Sequence, residues 1–305
     1  MKRKAFKIKL NKKPAQVLGG LPVRERVINI LQRKSKAFLM QSGRKPCLAI
    51  VQLGDREESN RYIRQKKMFG ETIGVSTEHI KFSEIKSQKN LQKRLLTKIK
   101  SLNEDLKVDG IIVQFPLPEG IEEDDVVKII DPRKDVDGIG AMSPHTPATA
   151  RGVLAMLDFY GVKLEGKKVV VVGRSKLVGL PIALACLKRN ATVTICHGQT
   201  KKLSEETRRA DVLVVAVGHP KLIGPALVSP HQTVIDVGIT AVPDKVSSSG
   251  FRLVGDVDAD KVAHIVKALS PVPRGVGPMT VASLFLNLLD ACEISSCEKQ
   301  PLSKK

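Results

Sequence analysis

The chain has no tryptophan and few other aromatic residues: two tyrosines and eight phenylalanines make up 3% of its 305 residues. Modules that stack nucleic-acid bases need an aromatic platform, and this composition does not offer one. Long apolar runs are also missing, since none approaches the ~18 residues that a membrane-spanning helix requires. These shortages argue against a nucleic-acid partner and against a membrane protein.

Cysteine and histidine are too scattered to suggest a metal centre. The five cysteines do not stand at the spacing of a metal-ligand set; they are Cys47, Cys186, Cys196, Cys292 and Cys297. The six histidines are isolated from one another. We therefore predict no metal site and reduced thiols in a cytosol-like compartment, which makes a cytoplasmic location the expectation.

Acidic residues are the scarcer charged class, and the formal net charge is +20. Seven of the first thirteen residues, MKRKAFKIKLNKK, are Lys or Arg, with no acid among them. A solvated basic extension over residues 1–15 is the favoured interpretation. A nucleic-acid tail, an organelle presequence and electrostatic steering of an anionic ligand remain alternatives.

Short apolar strands alternate with amphipathic helices along most of the chain. This order predicts an α/β protein built from parallel βα units. A loop-rich stretch, IDPRKDVDGIGAMSPHTPATARG, separates two such series. We predict a first α/β domain over residues 16–148, completed by 275–295, and a doubly wound nucleotide-binding domain of the Rossmann type over 149–274. Residues 296–305 are predicted to form a polar tail.

The second series opens on a candidate dinucleotide site. The strand KKVVVVG runs into GRSKLVGLP and then a helix, so backbone amides at the helix start could face a pyrophosphate. The spacing of Gly173 and Gly179 is not G-x-G-x-x-G, and an ordinary strand-to-helix turn is the alternative. The next strand end, TVTICHGQTKK, has no carboxylate for a ribose 2′-hydroxyl. Arg174, Lys201 and Lys202 favour a 2′-phosphate and hence NADP, although Lys and Arg are frequent everywhere in this chain.

Three polar features lie in the first series of strands and helices, and each has an ordinary structural explanation when it is taken alone. In RYIRQKK, Tyr62 and Lys66 are four residues apart and share a helix face, yet such a lysine is usually solvent-exposed. Gln114 ends an apolar strand pattern, where an amide bonded to backbone is the simplest interpretation. Asp137 precedes a glycine, and turn formation is the usual role there.

The combined motifs resemble the bifunctional methylenetetrahydrofolate dehydrogenase/methenyltetrahydrofolate cyclohydrolase family over about residues 17–292. The resemblance rests on the order and spacing of eight segments: SNRYIRQK, VDGIIVQFPLP, KDVDG, VVVGRSKLVGLP, ADVLVVAVGHP, VIDVGI, VGDVD and SPVPRGVGPMTVA. It implies oxidation of methylenetetrahydrofolate with NADP, hydrolysis of the methenyl product, a C-terminal helix that packs on the first domain, and a homodimer.

The resemblance also implies residue roles. Tyr62 would stack on the folate, Lys66 would be the central catalytic group, Gln114 would orient it, and Asp137 would bind the pterin. The remaining expected contacts to the substrate are Val113, Phe115, Pro273, Arg274, Gly275, Val276 and Gly277. The expected contacts to the cofactor are Gly173, Arg174, Ser175, Ile239 and Thr280.

Several positions depart from the family pattern. Arg274 replaces a usual glycine in the late loop, Gly198 replaces a serine expected at the 2′-phosphate, and Ala150 replaces a proline. The segment between KDVDG and PATARG is about nine residues shorter than the resemblance leads us to expect. These departures keep two alternatives open: a cyclohydrolase with weak or lost dehydrogenase activity, and a basic nucleic-acid-binding protein on a retired enzyme fold.

Overall fold

The computed structural model describes residues 14–82, 88–244, 246–247 and 250–298. Within them the chain forms two compact units. The three-stranded unit comprises Glu25–Ala148 and the chain from Val281, and the six-stranded unit comprises the chain up to Arg24 and Thr149–Thr280. Among the described helices, none is long and apolar enough to cross a membrane.

The three-stranded unit is a parallel sheet covered by helices. The strand order is β3-β2-β4, and both pairings are parallel. Its strands are β2 (Cys47–Leu53), β3 (Ser76–Phe82) and β4 (Gly110–Val113). Its helices are most of α1 (Gly20–Ser42), α2 (Glu57–Thr72), α3 (Gln88–Glu104), α4 (Glu123–Ile129) and most of α9 (Gly277–Glu298).

The core of this unit lies between the sheet and α3. Side chains such as Val51, Leu91, Leu95, Ile99 and Ile111 are almost fully buried against one another. The apolar positions of α3 recur at helical spacing, which is why LQKRLLTKI packs as a helix while its lysines remain outside. Each such side chain contributes about 1.5–3 kcal/mol through burial.

Helix α9 packs on the three-stranded unit, as the resemblance led us to expect. The Phe285 ring is fully buried, with its centroid 5.3 Å from that of Phe69 on α2. A side chain at Gly110 of β4 would collide with Leu288 of α9. Residues of α9 therefore share a core with residues such as Phe69, which lie more than 200 positions earlier in the chain.

The six-stranded unit contains a wholly parallel sheet with the order β1-β11-β8-β7-β5-β6. The central strands are nearly continuous apolar runs, typical of strands covered on both faces. The sheet strands are β1 (Gln16–Val17), β5 (Lys168–Val172), β6 (Thr192–Cys196), β7 (Val212–Val215), β8 (Thr233–Asp236) and β11 (Ala268–Leu269). A separate antiparallel hairpin is formed by β9 (Thr240–Pro243) and β10 (Phe251–Val254).

The helices of this unit connect its strands. They are α5 (Ala148–Phe159), α6 (Gly179–Leu187), α7 (Leu203–Arg208), α8 (Ala259–Val262) and the short 3-10 helix Pro225–Leu227. Pro181 is the third residue of α6. Because the strands are parallel, the loops after β5, β7 and β8 leave from one edge, where ligands of such sheets bind.

The structure differs from the predicted boundaries at both ends of the first domain. Gln16 and Val17 pair with β11, so they belong to the sheet of the six-stranded unit. Residues 275–280 belong to that unit as well. A two-residue strand carries too little pattern for sequence analysis to assign its partner. Of the predicted terminal segments, residues 1–13 and 299–305 lie outside the described residues, and α9 extends to Glu298.

Candidate active site

Helix α2 carries the tyrosine and lysine singled out from the sequence. Glu57 and Glu58 lie in its first turn, where acidic side chains stabilise the helix by interacting with its dipole. Ile63 faces the interior, and Tyr62 is 45% exposed. Lys66 lies one turn further along the same face and is half-buried. The tyrosine ring is thus available to a ligand while the amine is withdrawn from bulk water.

Lys66 and Gln114, which the resemblance links, form a hydrogen bond. Lys66 Nζ donates to Gln114 Oε1 over 2.8 Å. Gln114 lies immediately after β4, and its Nε2 donates to the carbonyl of Phe115 over 2.7 Å. Because Nε2 of Gln114 is held by the Phe115 carbonyl, Oε1 of Gln114 faces the amine of Lys66. Val113 beside it is buried, and Phe115 is half-buried.

Asp135, two residues before Asp137, forms the turn that is usual for an aspartate at the position of Asp137. Its Oδ1 accepts a hydrogen bond from the Gly138 amide over 3.0 Å, and its Oδ2 accepts one from the Gly140 amide over 2.7 Å. The buried Asp135 therefore shapes the loop. The turn therefore does not depend on the carboxylate of Asp137.

The charges of Lys66 and Asp137 interact. Burial lowers the pKa of Lys66, and the attraction of Asp137 partly opposes this effect. Burial likewise raises the pKa of Asp137, with a contribution from Asp135 and with opposition from Lys66. Both groups are thus moved toward their neutral forms, which is the condition for proton exchange near neutral pH.

Asn287 supports this loop from α9, although no role was predicted for it from the sequence. The side chain is fully buried, and its Nδ2 donates to the carbonyl oxygens of Val136 over 2.8 Å and Thr146 over 2.9 Å. These bonds connect α9 to the residue before Asp137. A polar amide inside the apolar pattern SLFLNLLDAC was the available signal, because a buried amide needs partners.

The turn after β5 has the shape of a dinucleotide site. Gly173 has a φ of 124°, and a Cβ there would overlap the Ala216 carbonyl oxygen. The Ser175 hydroxyl accepts hydrogen bonds from the amides of Val178 and Gly179 at the start of α6, each over 3.2 Å. Arg174 is exposed. A backbone that admits no side chain, next to a helix start and an exposed arginine, fits a phosphate-bearing cofactor.

The adenosine end of this turn fits a 2′-phosphate better than a 2′-hydroxyl. The segment after β6 contains no carboxylate through Lys202, and a Cβ added at Gly198 would meet no atom within 4 Å. The expected serine at this position is absent, but space for a phosphate remains. These residues therefore fit NADP.

The late loop brings two predicted groups together within the six-stranded unit. A Cβ built on Gly277 would lie 3.3 Å from Ile239 Cδ1, so the predicted substrate loop meets a predicted cofactor residue. Ile239 is 43% exposed. Thr280 lies in the first turn of α9, where its amide donates to the Val276 carbonyl over 3.3 Å.

Arg274 is the unusual residue of the late loop. Its φ of 75° is a left-handed conformation that costs a non-glycine residue about 1 kcal/mol or more. Its carbonyl accepts a hydrogen bond from Gly20 over 2.8 Å. Its side chain, like that of Pro273, is exposed, while Gly275 and Val276 are buried.

Comparison with known proteins identifies these features as parts of one family. Residues 18–137 match the family described as tetrahydrofolate dehydrogenase/cyclohydrolase, catalytic domain. Residues 147–296 match its NAD(P)-binding domain. The chain belongs to the tetrahydrofolate dehydrogenase/cyclohydrolase family. The sequence resemblance to this family is thereby confirmed.

Individual members of the family are similar over nearly their whole length. Bifunctional protein FolD of Lacticaseibacillus casei is 41% identical, with 88% of this chain and 94% of the relative covered. The crystal structure of the bifunctional enzyme FolD from Campylobacter jejuni has a TM-score of 0.85 and 35% identity, with 92% of this chain and 99% of that chain covered. The Trypanosoma brucei FolD structure, complexed with NADP cofactor and inhibitor, has a TM-score of 0.86 and 31% identity, with 93% and 99% covered.

Family members also occur as parts of longer proteins. This chain is 40% identical to cytoplasmic C-1-tetrahydrofolate synthase of Schizosaccharomyces pombe over 80% of its own length. It spans 27% of that relative.

Proposed function

We propose that this protein oxidises 5,10-methylenetetrahydrofolate to 5,10-methenyltetrahydrofolate with NADP and hydrolyses the methenyl compound to 10-formyltetrahydrofolate. The observation that carries the proposal is the 2.8 Å hydrogen bond between Lys66 Nζ and Gln114 Oε1, with Asp137 acting on the same amine. Family membership supplies the substrate class. The enzyme would thus serve one-carbon metabolism.

The six-stranded unit would hold the cofactor. The Gly173 turn and the amides at the start of α6 would receive the pyrophosphate, with Ser175 beside them. Arg174 would pair with the 2′-phosphate. NADP, when bound, accepts the hydride that leaves the methylene bridge. Ile239 and Thr280 would limit the space on the nicotinamide side.

The three-stranded unit would hold the folate and move protons. The exposed face of Tyr62 offers a surface for the planar middle of the substrate. Asp137, whose pKa is raised by burial, would bind the pterin end. Lys66 would exchange a proton with the water that adds to the methenyl carbon, because burial enlarges the neutral fraction of its amine. Gln114 would keep that amine in one orientation.

The substrate loop 273–277 belongs to the six-stranded unit. Buried Gly275 and Val276 fix its backbone, and the exposed Arg274 side chain would be available to the carboxylates of the folate tail. We propose Glu25–Ala148 with the chain from Val281 as the folate-binding unit, and Thr149–Thr280 as the NADP-binding unit. A homodimer in the cytoplasm is also proposed, and light scattering coupled to size exclusion would give the mass of the particle.

Two assays on the purified protein test the function. The first follows formation of the reduced nucleotide with methylenetetrahydrofolate, which is NADPH when NADP is supplied and NADH when NAD is supplied. The second follows disappearance of methenyltetrahydrofolate without any nucleotide. We expect both reactions, with NADP preferred. Hydrolysis without dehydrogenation would leave a single-activity cyclohydrolase, and the absence of both reactions would contradict the proposal.

A further inference from the structure

Two aspartates at the ligand edge of the six-stranded sheet have no role in the proposed chemistry. Asp236 ends β8 and is 3% exposed, and Asp256 is fully buried. They come from the motifs VIDVGI and VGDVD. Charged groups are costly to bury, and two carboxylates in one region are costlier still.

Asp236 binds backbone amides with both of its oxygens. Its Oδ1 accepts hydrogen bonds from the amides of Gly238 over 3.1 Å and Asp256 over 3.0 Å. Its Oδ2 accepts one from the amide of Val257 over 2.9 Å. One carboxylate therefore joins the loop after β8 to the segment that precedes α8.

Asp256 binds backbone amides with only one oxygen. Its Oδ2 accepts hydrogen bonds from the amides of Val217 over 2.7 Å and Gly218 over 3.0 Å, just beyond the end of β7. Its Oδ1 is buried and makes no hydrogen bond to any residue in the described part of the chain. Both carboxylate oxygens of Asp236 thus accept hydrogen bonds from backbone amides, whereas only one oxygen of Asp256 does so.

The two motifs interlock through their glycines. A Cβ on Gly238 would overlap the carboxylate of Asp256, and a Cβ on Gly255 would overlap Oδ2 of Asp236. Each carboxylate occupies the space that a side chain in the other motif would need. Gly238 and Gly255 are therefore required, because a larger residue at either position would collide with the carboxylate from the other motif.

The amides held in this way belong to the loops that surround the proposed cofactor site. Val217 and Gly218 follow β7, the neighbour of the strand that leads into the Gly173 turn. Gly238 directly precedes Ile239. Burial, with a further contribution from Asp256, raises the pKa of Asp236 to about 6, so the arrangement opposes full ionisation. The backbone amides of these loops need acceptors, and the two carboxylates supply them, which fixes where the loops lie.

We propose that Asp236 and Asp256 are positioning residues for the dinucleotide, because their carboxylates fix the loops at Val217–Gly218 and Gly238–Ile239. This inference rests on the proposed NADP-binding function. It adds two residues that act through backbone amides and do not touch the reacting atoms.

The decisive experiment compares Asp236→Asn with Asp256→Asn. An amide has one accepting oxygen and one donating nitrogen. At Asp236 both oxygens face amide donors, so the new NH₂ group must displace at least one bond. At Asp256 the NH₂ group can take the place of the oxygen that makes no hydrogen bond. The same chemical change should therefore affect the two sites differently.

The main readout is the dissociation constant for NADP⁺, measured by calorimetry without folate. We expect Asp236→Asn to weaken binding at least tenfold and Asp256→Asn to stay within about threefold of the unmodified protein. Hydrogen exchange should show intact protection of the Val217 and Gly218 amides in Asp256→Asn. Gly224→Ala is the matched control, since its new Cβ would meet nothing within 4 Å. The methenyl hydrolysis rate checks that the three-stranded unit is folded.

Unchanged NADP⁺ affinity in both asparagine variants would overturn the inference, and a tenfold loss in both would contradict its hydrogen-bond basis. If Asp236→Asn does not fold, Asp256→Asn still decides: a tenfold loss in that variant, with Gly224→Ala normal, would contradict the hydrogen-bond basis. An unmodified protein that neither binds NADP⁺ nor oxidises the substrate would refute the proposed function instead.

Discussion

Replacing Lys66 with methionine should abolish hydrolysis of methenyltetrahydrofolate while the protein stays folded. Proton transfer by a positioned side chain typically contributes 10²–10⁴-fold, which corresponds to about 2.7–5.5 kcal/mol in the barrier. The effect on stability should be much smaller. A hydrogen bond with one charged partner contributes about 1.5–3 kcal/mol, but burial of the amine opposes it, as the lowered pKa of Lys66 shows.

Methionine has a similar length and needs no partner, so we expect the free energy of unfolding to change by about 1 kcal/mol or less. The assay is the loss of methenyl absorbance, paired with a thermal melt. Lys67→Met is the matched control, since Lys67 is the next residue of α2 and has no proposed role. Lys66→Arg keeps the cation but cannot release its proton, and it should also be inactive. Near-normal hydrolysis in Lys66→Met would refute the assigned role.

Three further outcomes follow from the geometry. Gly173→Ala should abolish NADP⁺ binding, because its Cβ would overlap Ala216, and calorimetry would detect normal binding if this reasoning is wrong. Gly198→Ser should lower the KM for NADP severalfold without changing the KM for NAD; equal changes for both nucleotides would contradict a 2′-phosphate contact. The pKa of Asp236 is raised from 3.8 to about 6 in the folded protein, so its contribution to stability is fully present below about pH 4 and is lost as pH rises through 6. The full loss is about 3 kcal/mol, and urea unfolding should show a smaller loss in Asp256→Asn, which lacks the neighbouring charge.

Much of the fold was predictable because its signals are local. Runs such as KVVVV and the period of α3 determine strand and helix without reference to distant residues. The pairing of Gln16–Val17 with β11 was missed, since a two-residue strand is defined only by its distant neighbour. The hairpin of β9 and β10 lies in a stretch without strict alternation, and it was missed as well.

The same distinction between local signals and contacts with distant residues applies to the candidate site. Periodicity showed that Tyr62 and Lys66 share a face, but only the family resemblance linked Lys66 to Gln114, whose positions are 48 residues apart. Asp135 was assigned no function, because two aspartates in KDVDG cannot be told apart until the amides of Gly138 and Gly140 are placed. Asn287 depends on contacts more than 140 residues away, and sequence alone gives only its unusual polarity.

The most direct test of the central claim is the product balance of one reaction. Purified protein is mixed with methylenetetrahydrofolate and NADP, and NADPH, methenyltetrahydrofolate and 10-formyltetrahydrofolate are quantified over time. We predict that NADPH equals the sum of the two folate products and that the formyl compound accumulates faster than in a parallel reaction with Lys66→Met. NADPH formation with no enzymatic acceleration of the formyl product, or no NADPH at all, would contradict a bifunctional enzyme.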